Sequence, residues 1–209
     1  MPHAAIPQAL RSRYDEPWRH YHTMAHIDAM EGHLRDALAA GVTVHDLPAC
    51  QAFIWWHDAI YEPEASPGHN ELRSAELCAA EMAASGYEPA AIQRAVAMIE
   101  ATARHTAPEA ATAPDAPLML DIDLSILGAS PSAYEHYAHA IRREYAHVAE
   151  QAYREGRARI LQSFLARPAL YLTTWARGRW DGSARTNLVW EITVLTAASP
   201  HDEAAITSG

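Results

Sequence analysis

The chain has 209 residues, 49% of them hydrophobic, which suits one domain with a substantial core and excludes wholesale disorder. Its 26 acidic and 16 basic residues give a formal charge of −10. That balance argues against duplex nucleic acid as a partner, because non-specific binding rests on neutralising phosphates with many cations. All 16 basic residues are Arg, so Schiff-base and P-loop lysine chemistry are excluded.

In chain order the pattern predicts helices almost throughout. Thr23 can cap a helix running to about Ala40, with Gly41 as its stop. A buried helix is expected over 47–60, where Phe53, Ile54, Trp55 and Trp56 are consecutive. Two Pro and a Gly make 61–68 a loop, and helices follow over 70–85 and 88–105. The Pro- and Ala-rich stretch 105–117 is a second loop, and 118–127 is short and apolar. Ser130-Pro131 opens a long helix to about Glu155, with further helices over 157–165 and 182–196. Residues 199–209 read as a frayed tail. The reading is an all-α bundle in a single domain over 1–198, with the two loops as rims of a site.

Cys50 and Cys78 form no CxxC pair, the first residues lack the apolar core of a signal peptide, and no run approaches a membrane span. A soluble protein of the reducing cytoplasm is expected, with no membrane partner. Nine of the Arg fall between 142 and 185 against four acids, which suggests a local anion site.

The 13 His include two clusters that differ from ordinary surface or core histidines. In the first, His22 and His26 are four apart and share a helix face. Thr23 stands where a zincin needs Glu, so a zinc protease is not expected. In the second, His57-Asp58 ends the apolar 47–60 segment, where a carboxylate must be paired, hydrogen-bonded or metal-bound. His and carboxylate ligands together suit one divalent transition metal, Mn, Fe, Co, Ni or Zn, and not calcium. Downstream, Asp121 and Asp123 interrupt an apolar run. Residues two apart on a helix point about 200° away from each other, so one ion takes one of them and the other is left to orient a ligand or the nucleophile.

The order H…HD…D resembles the HD superfamily of metal-dependent phosphohydrolases, and in particular a bacterial branch of predicted members. The matching blocks are 19–27 (RHYHTMAHI), 52–61 (AFIWWHDAIY), 70–75 (NELRSA), 99–105 (IEATARH), 120–128 (LDIDLSILG), 141–145 (IRREY), Gly156-Arg157 and 184–188 (ARTNL), so the resemblance spans about 14–192. It implies an all-helical HD fold with His26, His57, Asp58 and Asp123 on one metal. His26 is preferred to His22 because Met30 follows it by one turn, and Asp123 to Asp121 because Leu124 follows it. HHE and HDIGH segments are absent, unlike the cyclic-dinucleotide phosphodiesterase and di-iron oxygenase branches.

On this resemblance a metal-activated water attacks phosphorus, Asp58 accepts its proton, and His105 binds a phosphoryl oxygen or protonates the leaving group. Glu62 and Glu71 are reserve acids or orienting groups beside the first loop, and Asp121 serves as the orienting carboxylate. Arg19, Arg142, Arg157 and Arg185 are candidates to cradle phosphate, and Tyr21, His22 and Asn187 to contact the rest of the substrate. The implied substrate is a small phosphate compound, a nucleotide by analogy with the superfamily. A homodimer is compatible with this reading. The competing readings are a nucleotide- or metal-binding module without turnover and an iron-dependent oxygenase on the same fold.

Overall fold

A computed structural model describes residues 7–197, and all of their regular structure is helical. A short α1 (Gln8–Arg11) and a 3-10 turn (Ser12–Asp15) lead to α2 (Met24–Ala39), α3 (Leu47–Trp56), α4 (His69–Ala84) and α5 (Pro89–Thr102). Then come α6 (Ala116–Asp123), a second 3-10 turn (Leu124–Gly128), α7 (Pro131–Glu144), α8 (Glu150–Leu165) and α9 (Thr174–Thr196). The expected tail, 199–209, lies outside the described residues. No helix among the described residues is long and apolar enough to cross a membrane.

Helix α3 is the centre of the bundle and touches α2, α4, α5 and α6. Its composition explains why: Ala49, Cys50, Phe53, Ile54, Trp55 and Trp56 are buried on every side of it. A helix apolar all round must be an interior one. The two indole N–H groups still find acceptors, Trp55 on Glu31 at 2.8 Å and Trp56 on Glu81 at 3.0 Å. Asp46 caps the helix by accepting from the Ala49 amide at 3.0 Å. The buried Asp115 carboxylate accepts the His45 and Asp46 amides at 2.9 and 2.8 Å, which ties the start of α3 to the start of α6. Around this centre α4 lies along α5, α8 along α9, and α9 against the turn that follows α6.

The boundaries depart from expectation at several places: the buried helix expected over 47–60 ends at Trp56, leaving His57 and Asp58 just beyond it, and the helix expected over 88–105 ends at Thr102. Thr23 holds the N-cap position of α2, but its hydroxyl makes no capping bond. The helix expected from 130 to 155 stops at Glu144 and the break falls at 145–149, while Gly156 sits inside α8. Arg142 accounts for the break: it donates to the carbonyls of Tyr145 (2.6 Å) and Val148 (3.2 Å), satisfying acceptors that the turn removes from the helix. Helix α9 begins at Thr174 rather than near Gly182. Thr173 caps it by accepting from the Ala176 amide at 3.2 Å, and this anchored start carries Gly178 and Gly182 in the helix interior.

Gly128 closes the turn after α6 where α9 crosses it. A Cβ there would stand 2.8 Å from the Cα of Trp180 and 2.9 Å from its carbonyl oxygen. Backbone atoms cannot rotate away, so overpacking must shift α9 itself. Gly128→Ala is expected to destabilise the protein by about 2–3 kcal/mol, read as a lower urea midpoint at unchanged slope.

Candidate metal centre and its cleft

Three helix ends meet on one side of α3. His26 lies in the first turn of α2, His57 and Asp58 follow the last turn of α3, and Asp123 is the last residue of α6. Their donor atoms converge. His26 Nε2 is 3.2 Å from His57 Nε2, 3.2 Å from Asp123 Oδ1 and 3.9 Å from Asp58 Oδ2. His57 Nε2 is 2.9 Å from Asp58 Oδ2 and 3.5 Å from Asp123 Oδ1. Donors about 2.1 Å from a common ion stand roughly 3.0–3.4 Å apart when adjacent, so these separations fit a shared cation. Among the described residues His26, His57 and Asp58 form a group able to hold a metal ion, and Asp123 lies beside both imidazoles, 3.2 Å from His26 and 3.5 Å from His57. Two imidazoles and two carboxylates suit Mn, Fe, Co, Ni or Zn.

The other ring nitrogens are held from outside. His57 Nδ1 donates to the Ile54 carbonyl at 3.1 Å, and Tyr21 Oη lies 3.1 Å from His26 Nδ1. The His57 contact leaves Nε2 as the nitrogen that can ligate a cation once its proton is lost, and the Tyr21 contact allows the same for His26 when its Nδ1 donates to the hydroxyl. The electrostatics are those of a cation site. Burial alone would lower the basicity of His57, yet Asp58 and Asp123 hold its pKa well above the ordinary 6.5. For Asp58 and Asp123 burial works upward, but the surrounding imidazoles leave both carboxyls below their ordinary 3.8.

Behind the centre stands a residue that the sequence reading passed over. Glu144 is 3% exposed, and its Oε1 accepts the amides of His20 (2.7 Å), Tyr21 (2.7 Å) and His22 (3.1 Å). Its Oε2 lies 2.7 Å from His22 Nδ1 and accepts the Tyr61 hydroxyl at 2.8 Å. The ring of Tyr61 lies beside that of His22, centroids 4.3 Å apart. Tyr134, Tyr137, Ile141 and Glu144 are spaced three, four and three apart, so the periodicity of α7 put Glu144 on the buried face.

A cleft of about 750 Å³ opens onto the centre. Of the expected site residues, Tyr21, His22, His57, Asp58, Glu71, His105, Asp123 and Arg157 line it. His105 takes a left-handed conformation, φ 45°, rare for a non-glycine residue, and its Nε2 lies 3.1 Å from Asp123 Oδ2. Arg157 is held by Glu191 (2.8 Å) and also reaches the Tyr137 hydroxyl (3.2 Å).

Several expected site residues do other work. Asp121 faces away from the histidines and accepts the amides of Leu172 and Thr173, both at 2.7 Å, anchoring the start of α9. Arg19 is buried and donates to the carbonyls of His22 (3.1 Å), Asp58 (2.8 Å) and Ala59 (3.2 Å), so it supports the centre from behind instead of reaching into the cleft. Arg142 braces the α7–α8 turn, and Arg185 donates to carbonyls of Leu165, Arg167 and Pro168 after α8. Asn187 donates to the carbonyls of Leu127 (2.8 Å) and Ala129 (2.9 Å), and Glu62 is an exposed loop residue. None of these six lines the cleft. Arg104, Arg167, Tyr61, Tyr137, Tyr145 and Tyr153 do line it and were not singled out from the sequence. No family model, curated protein or solved structure matches the chain.

Two measurements follow from the charges. Burial raises the Glu144 carboxyl, but His22 and the amides pull it from the ordinary 4.5 down to about 2. A depressed carboxyl contributes stability that is full above pH 4.5 and lost as pH falls through about 2. Glu144→Gln is therefore expected to cost about 2–3 kcal/mol in urea melts at pH 7, with the gap to wild type narrowing below pH 4.5. Metal ligation needs neutral His57, whose pKa lies well above 6.5 in the metal-free protein. Manganese binding at pH 7 is expected to release about one proton, read by calorimetry in buffers of different ionisation enthalpy, and to strengthen as pH rises.

Proposed function

We propose that this chain is a metal-dependent phosphohydrolase acting on a phosphate ester or anhydride, with nucleotides as its substrate class. The observation that carries the reading is the convergence of His26 with His57, Asp58 and Asp123, the last three of which line a cleft large enough for a small organic molecule. The sequence resemblance to HD phosphohydrolases over 14–192 supports the same reading.

When bound, a divalent cation acidifies water and draws charge from a phosphoryl oxygen. The protein's own groups have separable tasks. Asp58 keeps part of its carboxylate open to the cleft, its side chain 21% exposed, and takes the proton of the attacking water. His105 stands at the mouth, where it donates to a phosphoryl oxygen or to the leaving group. His22, with Nδ1 committed to Glu144, presents its other nitrogen to the cleft as a donor for phosphate. Tyr137, Tyr145 and Tyr153 offer faces for a base, and Leu124, Ile126 and Ile160 limit the water around the reacting groups. The free, buried thiols of Cys50 and Cys78 suit a reducing, cytoplasmic setting.

The test is release of phosphate and pyrophosphate from a nucleotide panel by manganese-loaded wild type and by Asp58→Ala, with metal content measured in both. Release by wild type that disappears in Asp58→Ala is expected. A metal-replete wild type that leaves the whole panel intact overturns the nucleotide hydrolase reading. Two bound irons and oxygen consumption would replace it with oxygenase chemistry.

A further inference from the structure

The charges around the cleft bear on what the substrate carries besides the phosphoryl group that reacts, an inference that rests on the phosphohydrolase reading. Three arginines line the cleft. Arg157 is neutralised by Glu191, through Nε at 2.8 Å and Nη2 at 3.2 Å. The other two have no carboxylate partner among the described residues. Arg167 stacks on Phe164, 4.6 Å from the ring centroid, and donates to the carbonyls of His105 and Arg104, both at 3.2 Å. Arg104, just beyond α5, is exposed and lines the cleft, and its guanidinium has no hydrogen-bond or ion-pair partner among the described residues.

Arg104 precedes His105 in the chain, Arg167 donates to the His105 carbonyl, and the His105 ring is bonded to Asp123 of the candidate centre. Half of the sixteen arginines pair with a carboxylate, as Arg19 with Glu16, Arg94 with Asp46 and Arg142 with Glu150; among those with no such partner in the described residues, Arg104 and Arg167 are the two that line the cleft. Two charges without a carboxylate partner, lining the same cleft as His57, Asp58 and Asp123, make a place for an anion that a metal would not itself hold. Arg167 is fixed by its two carbonyls and contributes mainly field. Arg104 has all its donors free for bidentate contact with phosphoryl oxygens.

We propose that Arg104 and Arg167 form a second anion subsite beside the metal centre, so that the enzyme favours substrates with adjacent phosphoryl groups, phosphoanhydrides such as nucleoside di- or triphosphates, over monoesters.

The test reads binding without turnover. Manganese-loaded wild type, Arg104→Ala, Arg104→Glu and Arg104→Lys are titrated calorimetrically with inorganic phosphate and with pyrophosphate. Comparing ratios between proteins cancels chelation of manganese in solution. One added charge-assisted contact corresponds to about a tenfold or greater preference for pyrophosphate in wild type. That ratio is expected to fall toward one in Arg104→Ala, to fall further in Arg104→Glu, and to be largely kept by Arg104→Lys. Arg159→Ala, which removes an exposed charge outside the cleft, should leave it in place. A wild-type ratio near one, or a ratio that Arg104→Glu does not move, overturns the subsite. An intact ratio in a protein that hydrolyses nothing in the panel keeps the subsite and overturns the phosphohydrolase reading instead.

Discussion

The buried carboxylate of Glu144 is the interaction on which the candidate centre depends. Its two oxygens take five hydrogen bonds: three from the consecutive amides of 20–22, one shared with the His22 ring and one from Tyr61. A charge with no access to water is tolerable only when its acceptor capacity is filled. Filling it bends the chain before α2 into one path. That path sets where α2 starts, hence the height of His26, and places the Tyr21 hydroxyl against the back of the His26 ring. A residue 118 positions along the chain from His26 thus fixes the geometry of a candidate metal ligand that it does not touch.

Arginine does structural work through much of this molecule. Arg19, Arg142, Arg154, Arg167 and Arg185 each donate to at least two backbone carbonyls, most of them at helix ends or turns. Helix C-termini leave carbonyls without partners, and a planar fork with five donors satisfies several at once, which one ammonium group does less well. An all-helical chain with many short connections has many such ends. This gives a physical reason for an inventory of 16 Arg and no Lys, and it explains why clustered arginines were a poor guide to phosphate contacts.

The helical architecture was legible because it rests on local signals: the apolar run of α3, the prolines opening α3, α5 and α7, and glycines with positive φ after α2 and α4. His57, Asp58 and Asp123 stood out as polar residues in or at the end of apolar stretches, and the H…HD…D resemblance added His26 and grouped the four. The arginines were misread because a carbonyl acceptor leaves no mark in the sequence. Asp121 belongs with them: its partners are amides of 172 and 173, brought near by the crossing of α9. Glu144 carried a local signal, its place on the apolar face of α7, that a reading centred on the basic residues of the same segment overlooked. Arg104 and Arg167 meet only through tertiary packing.

The way the centre is assembled from helix termini has a consequence of its own. Two of its acidic ligands sit at the C-terminal ends of α3 and α6, while only His26 comes from an N-terminal turn. Peptide dipoles leave a partial negative charge at a C-terminus and a partial positive one at an N-terminus. The backbone at the end of α3, beside His57 and Asp58, therefore adds an attraction for cations that no side-chain substitution removes, while α6 runs straight into the second 3-10 turn and adds less. Conservative changes among the four candidate ligands leave this field in place, so the attraction for a cation at this spot rests on the backbone as well as on the side chains.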